Sequence, residues 1–150
     1  MLKKNKALRA LLQVSRPAFQ ITASMKASEL ALLVAGWQYV SESERPFVAR
    51  RLASTVDPAV ALAVGVTGAG YERLNDWSWM TGDNLATVAM PQPSATVCVR
   101  KARAITGFFG QLNDVYAMKL GDSPVKRIAF VGRWRVGGDW VVLQAEIIET

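Results

Sequence analysis

Histidine is absent from this 150-residue sequence, and cysteine occurs once, at Cys98. Without histidine, the chain cannot form a Ser-His-Asp or Cys-His catalytic arrangement, nor a metal site that uses imidazole. A single cysteine also excludes a disulfide framework and a cysteine-rich zinc site. Because no catalytic motif is visible either, we expect a protein that is not an enzyme and that needs no cofactor.

Long apolar runs are also missing, since no uninterrupted apolar stretch reaches the ~18 residues that a membrane-spanning helix needs. Hydrophobic residues nevertheless make up 51% of the chain, which is enough for one buried core. A lone thiol fits a reducing compartment better than a secreted one. We therefore expect a single intracellular domain, cytoplasmic unless the N-terminal segment directs it to an organelle.

Acidic side chains are absent from the first 26 residues, which carry six basic ones. From residue 27 onward the chain has 12 basic and 12 acidic side chains, so the basicity belongs to the N-terminus. On a helical wheel, residues 1–16 form a basic amphipathic arm that Pro17 ends. Its candidate binding residues are Lys3, Lys4, Lys6, Arg9 and Arg16.

Three uses of this arm remain open. Its leucines can dock on the domain or on a second copy of the chain, as apolar helical stripes usually do. Its positive charges can contact nucleic acid or an anionic membrane surface. Its acid-free, arginine-containing composition also fits an organelle transit peptide.

Residues 17–150 are predicted to form one α+β domain, in which helices precede a small, mainly antiparallel sheet that ends in a long hairpin. We expect helices over 28–40, over about 43–55, and from Pro58 to a stop at Gly65 with Asp57 as the N-cap. The first of these is apolar on almost every side, which is typical of a helix buried in the domain or in an oligomer. Short helices beside a turn also suggest a helix-turn-helix motif, but residues 59–64 carry no side chain that reads a base edge.

The second half of the domain is predicted to contain a loop, a strand, a helix and a hairpin. Residues 65–95 lack periodicity, and we expect the aromatic side chains there to fasten a long loop to the core. Residues 94–99 indicate a strand with Cys98 buried, and the apolar spacing over 102–120 favours a helix. Asp76, Asp83, Asp114 and Asp122 lie beside turn-forming residues, so turn chemistry accounts for them.

The stretch GRWRVGGDW, residues 132–140, predicts a hairpin with a two-residue Gly137-Gly138 turn. This register places Arg135 opposite Trp140 and gives one wholly apolar face, which is core. The opposite face carries Arg133, Arg135 and Trp140, and we expect a cation–π pair between Arg135 and Trp140. These three residues are the candidate partner surface within the domain.

The predicted arrangement, helices followed by a terminal hairpin that contains tryptophan, is similar to that of the cone-shaped NTF2-like domains. The likeness covers about the last 25 residues. The resemblance implies a curved sheet around a pocket, with a small-ligand-binding role or a histidine-free enzyme. The sequence itself favours a non-catalytic binding or assembly protein, a subunit of an oligomer or larger complex with a protein partner. A nucleic-acid-associated protein that binds through the arm and the Arg/Trp face is the alternative.

Overall fold

The computed structural model describes residues 20–122 and 124–150. The predicted arm, with Lys3, Lys4, Lys6, Arg9 and Arg16, lies outside the described residues. Within them the chain forms three α-helices and eight strands in antiparallel sheets, and it ends in a long hairpin. The predicted α+β class, with helices early in the chain and the hairpin at its end, is therefore confirmed.

The helices and strands of the described residues follow one another along the chain, with a 3-10 turn, Gly82–Asn84, between the fourth and the fifth strand. The elements are α1 (Ala23–Val34), β1 (Trp37–Val40), β2 (Glu44–Pro46), β3 (Val48–Leu52), α2 (Pro58–Leu62), β4 (Tyr71–Leu74), β5 (Leu85–Thr87), α3 (Ala95–Phe109), β6 (Asn113–Leu120), β7 (Val125–Arg133) and β8 (Trp140–Ile148).

A five-stranded antiparallel sheet in the order β3-β8-β7-β6-β4 separates two cores. On its inner face, α1, α3 and the small sheet β2-β1-β5 cover a large core that includes Phe130, Ile105 and Leu143. On its outer face, α2 covers a smaller core around Leu62, Val131 and Val142. Both faces of the central strands are covered, which is why these strands carry apolar side chains on both faces and show no alternation of apolar and polar residues.

The helix expected over 28–40 was wrong in both boundaries. Thr22 caps α1 by accepting a hydrogen bond from the Met25 N–H at 3.2 Å, so the helix begins five residues earlier. Gly36, with a φ of +78°, ends the helical segment, a conformation that costs glycine little. Residues 37–40 then pair with β2 and β5, since Trp, Tyr and Val suit a strand that is covered on one face.

The helix expected over 43–55 is replaced by β2 and β3. Strand β3 adds to the edge of the large sheet by pairing with β8, from Val48 opposite Gln144 to Leu52 opposite Trp140. Pro46, which has no N–H, lies on the outer strand of the small sheet, where a missing donor is tolerated. Pairing with strands β1 and β8 therefore outweighs the local signals that favour a helix in this segment.

Residues 94–120 adopt the reverse of the expected order. Ser94 accepts a hydrogen bond from the Val97 N–H at 3.3 Å and caps α3, whose buried stripe is Cys98, Ala102, Ile105 and Phe109. The residues after Phe109 then enter the large sheet as β6. Helical spacing was misread over 113–120 because both faces of β6 are buried, which hides the two-residue alternation of a strand.

Other local expectations were confirmed. Asp57 caps α2 by accepting from the Ala59 N–H at 3.0 Å, and Pro58 is the first residue of this helix. Cys98 is buried. Trp77 fastens the segment 75–80 to the inner core, because its ring stacks on Phe130 at a centroid distance of 5.7 Å.

The terminal hairpin forms, but its register differs from the prediction by two residues. Arg133 lies opposite Trp140 and Phe130 opposite Leu143. Gly137 and Gly138 do have positive φ, but the connection is longer than two residues: the Trp134 N–H donates to the Asp139 carbonyl at 2.9 Å. The Asp139 carboxylate also accepts from the Ser54 N–H at 2.9 Å and from Arg51 at 2.8 Å. A shift of two preserves the faces, so the predicted apolar face does lie in the inner core, except for Val136, which is exposed in the connection.

Candidate functional site

The outer face of the large sheet carries an open cavity of about 480 Å³, which we call the arginine–aromatic cleft. It lies beside the part of this face that packs on α2, on the opposite side of the sheet from α1 and α3. This is not the helix-capped side that the NTF2-like arrangement implies. The cleft is lined by Ser54, Thr55, Val56, Asp57, Pro58, Arg73, Asp114, Tyr116, Arg133 and Trp140.

Strand register brings the aromatic floor of the cleft together. Tyr116 on β6 is opposite Val131, and Trp140 on β8 is opposite Arg133, two residues further along β7. Residues on neighbouring strands at such positions share one face of the sheet. The Tyr116 and Trp140 rings meet edge to face, with centroids 6.0 Å apart and an interplanar angle of 83°.

Arg133 covers the indole of Trp140. Its guanidinium carbon lies 4.1 Å from the ring centroid, and its Nη1 donates hydrogen bonds to the carbonyl oxygens of Ser54 at 3.1 Å and Gly138 at 3.0 Å. These contacts hold the guanidinium in one place, whereas Nη2 forms no hydrogen bond with a described residue. Arg133 therefore offers a fixed positive charge and a spare donor.

Arg73 takes the equivalent position over Tyr116. Its guanidinium carbon lies 3.9 Å from the Tyr116 centroid, and its Nε donates to the Asn75 side-chain oxygen at 3.2 Å. The Nη1 and Nη2 groups have no hydrogen-bond partner among the described residues. A guanidinium with both Nη groups free can bind a carboxylate or a phosphate through two parallel hydrogen bonds.

Two polar groups of the aromatic floor have no partner among the described residues. Tyr116 is only 7% exposed, but its hydroxyl, which forms no hydrogen bond with them, is open to solvent in the cleft. The Trp140 Nε1 is fully buried and lacks an acceptor. Buried polar groups in proteins are nearly always paired. Burial raises the pKa of Tyr116, with smaller contributions from Tyr71 and Asp57 that exceed the opposing effect of Arg73 and Arg133. The phenol is therefore protonated at neutral pH and able to donate.

Two carboxylates complete the cleft. Asp57 uses Oδ1 to cap α2, and its second oxygen has no partner among the described residues. Asp114 lies where the pairing of β6 with β7 is irregular, between Asn113 and Tyr116, and it has a φ of +53°. The Asp114 carboxylate lies 3.6 Å from Arg133 Nε, close enough for an ion pair but too far for a good hydrogen bond.

The predicted surface residues of the hairpin separate in the structure. Arg133 and Trp140 both lie in the cleft, but Arg135 lies 5.2 Å over the ring of Trp134 instead of over Trp140. The predicted Arg135–Trp140 pair was thus wrong, because the register shift puts Arg133 in that place. Trp140 is only 6% exposed, so it forms the floor of the cleft and offers no free ring face for a nucleobase.

Sequence reasoning missed Arg73, Tyr116, Asp57 and Asp114 as members of this site. Strand β4 lay in a segment taken as a loop, and with Tyr71, Glu72 and Arg73 all exposed it carries no hydrophobic alternation that would have indicated a strand. Tyr116 was assigned to a helix. Only the pairing of β4 with β6 and of β6 with β7 brings these side chains to the hairpin.

No protein-family model matches this sequence, and a search of curated proteins found no significant relative. Across residues 20–122 and 124–150, no group of three or more carboxylate or cysteine side chains is arranged to hold a metal ion. No helix in that part of the chain is long and apolar enough to cross a membrane.

Proposed function

We propose that this chain is a non-catalytic binding protein and that the arginine–aromatic cleft holds an anionic group of its ligand. The single observation that carries the proposal is the pair of arginine side chains over the aromatic floor of one cavity, where both Nη groups of Arg73 and the Nη2 of Arg133 have no hydrogen-bond partner among the described residues. Arginine and tyrosine supply donors of the kind that anion sites use.

The positions of the arginines support this proposal. Each guanidinium lies over an aromatic ring, and Arg133 is also held by two hydrogen bonds and Arg73 by one, so part of the side-chain entropy is already lost before an anion binds. The cavity volume lies within the range of roughly 300–1,000 Å³ that small-molecule sites occupy. Because the cleft is open, we expect weak, rapidly exchanging binding of simple anions.

The test is an NMR titration of ¹⁵N-labelled protein with sodium butyrate, with sodium chloride replaced so that ionic strength stays constant. The indole N–H signal of Trp140, assigned with Trp140→Phe, should shift as the cleft fills. Arg73→Gln should weaken binding about tenfold, because it removes a charged two-point contact. Arg103→Gln changes an exposed arginine on α3 and should leave binding unchanged. Absence of any saturable shift, or equal loss in both variants, would refute the proposal.

A second candidate function, assembly with a protein partner or a second copy, has a separate observation in its favour. Leu32 on α1 and Met90 in the loop after β5 are 80% and 79% exposed. The Val88 N–H donates to the Gly36 carbonyl at 2.9 Å, which holds the start of that loop against the end of α1. Exposed apolar side chains that lie together mark interaction surfaces.

Light scattering of the full-length protein tests assembly. An oligomer weakened by Leu32→Glu but unaffected by Val60→Glu, a change at an exposed valine of α2, would support it. A monomer across the micromolar range would exclude self-association. Association of the arm and the Arg/Trp face with nucleic acid stays a prediction, which a filter-binding assay at low salt with and without residues 1–16 would test.

A further inference from the structure

The charged groups that line the arginine–aromatic cleft are two arginines and two aspartates, so their formal charges cancel. The two arginines and the two aspartates do not use up one another's hydrogen-bonding groups. Arg73 forms no ion pair with a described carboxylate, and Asp114 reaches Arg133 only at 3.6 Å and forms no hydrogen bond with any described residue. The cleft thus offers unused donors and unused acceptors side by side.

This arrangement penalises a ligand that is only an anion. Such a ligand gains hydrogen bonds from Arg73, Tyr116 and Arg133, but its charge is repelled by Asp57 and Asp114. A dianion such as a phosphate monoester doubles both the attraction of the arginines and the repulsion of the aspartates, so its second charge gains little in a cleft whose charges cancel. A ligand that places a positive group near the aspartates removes the repulsion and adds an attraction of its own.

From this charge arrangement, and resting on the function proposed above, we infer that the ligand is a small zwitterion of the amino-acid class. Its carboxylate lies against the free Nη groups of Arg73, the Nη2 of Arg133 and the Tyr116 hydroxyl. Its ammonium faces Asp114 and the uncapped oxygen of Asp57. Asp114 lies two residues before Tyr116 and, like Tyr116, lines the cleft, at a bulge where its φ is +53°.

The experiment compares amino acids with the acids that lack the amino group, using the Trp140 indole signal as the readout. The probes are glycine, β-alanine, 4-aminobutyrate and 6-aminohexanoate, each beside acetate, propionate, butyrate and hexanoate. We expect at least one amino acid to bind about fivefold more tightly than its matched acid, the ratio that one partly exposed ion pair provides. The length at which the ratio is greatest reports the spacing between the two charged ends.

Substitution of the aspartates is a second test, because it should change the affinities for amino acids and for their matched acids in opposite directions. Asp114→Asn should weaken binding of the best amino acid and strengthen binding of its matched acid, so that their ratio falls toward one. Asp57→Asn, which keeps a good helix cap, should act in the same direction. Asp83→Asn, at an exposed aspartate in the 3-10 turn Gly82–Asn84, should leave the ratio unchanged.

The outcomes separate the two proposals. If acids and amino acids bind equally, the zwitterion inference is overturned while the anion-binding function stands. If the preference exists but survives both Asp114→Asn and Asp57→Asn, the assignment of the ammonium site is wrong. If no probe in either series shifts the Trp140 signal, the proposed function fails and the inference falls with it.

Discussion

Replacing Gly132 with alanine should destabilise the protein, because β7 passes unusually close to the start of β6 at this residue. A Cβ at position 132 would lie 2.7 Å from Leu112 Cβ and 3.2 Å from Val115 Cγ2. The first of these atoms is fixed to the backbone, so the chain around it must move. Overpacking of this kind costs roughly 1–3 kcal/mol. The displaced segment includes Asp114, so Gly132→Ala should also weaken ligand binding at the cleft.

Gly107→Ala is the matched control with the opposite expected sign. Gly107 lies within α3, and a Cβ there would have no neighbour within 4 Å. Alanine should therefore stabilise the helix by about 0.5–1 kcal/mol. Urea unfolding followed by circular dichroism measures both free energies. A Gly132→Ala protein as stable as the wild type would show that β7 and the 112–115 segment are not packed this closely, and the described position of Asp114 would then be wrong.

Two further predictions concern the outer core and the C-terminal ion pairs. Leu62→Ala should lower the free energy of unfolding by about 2–5 kcal/mol, because Leu62 is fully buried in the outer core. Leu32→Ala, at an exposed site, should change it by less than about 0.5 kcal/mol. Similar losses in the two variants would show that Leu62 is not buried as described. Burial alone raises the pKa of Glu149, but hydrogen bonds and charges from Lys119 and Lys126 outweigh it and hold the pKa below its ordinary value of 4.5. A lowered pKa stabilises the fold above the ordinary value and loses that contribution as the pH falls through the folded pKa, so Glu149→Gln should be less stable than the wild type at pH 7, and the difference should shrink toward pH 3. A constant difference across that range, measured by unfolding at both pH values, would exclude this source of stability.

Local signals in the sequence were reliable where a side chain acts on its own backbone. Asp57 and Pro58 begin α2 as expected, and Gly137 and Gly138 turn the hairpin. Alternation in the hairpin also assigned its two faces correctly, since an apolar face against a solid core tolerates only even shifts of register. The predicted register was wrong by two residues, and Asp139 at the end of the connection makes contacts with Ser54 and Arg51, in a distant part of the chain, that the hairpin sequence does not show.

The candidate site was predictable only in part, for the same reason. Arg133 and Trp140 were recognised because they lie on the face of the hairpin opposite the core. Arg73 and Tyr116 come from strands whose partners cannot be read from the sequence. Strand β4 is mostly exposed and β6 is buried on both faces, so neither shows an alternation of apolar and polar side chains. The cleft therefore assembles from four separate segments, of which the sequence indicated one.

The sequence by itself determined the chemistry that this chain has available: no imidazole, one thiol, an acid-free N-terminus, and a hairpin with one apolar face. It also determined the α+β class. Only the tertiary structure decided that Arg73, Tyr116, Arg133 and Trp140 share one cleft with Asp57 and Asp114, and that Trp140 forms its floor. The physical reason is that helix caps and turns depend on residues a few positions apart, whereas strand pairing is set by contacts across the whole chain.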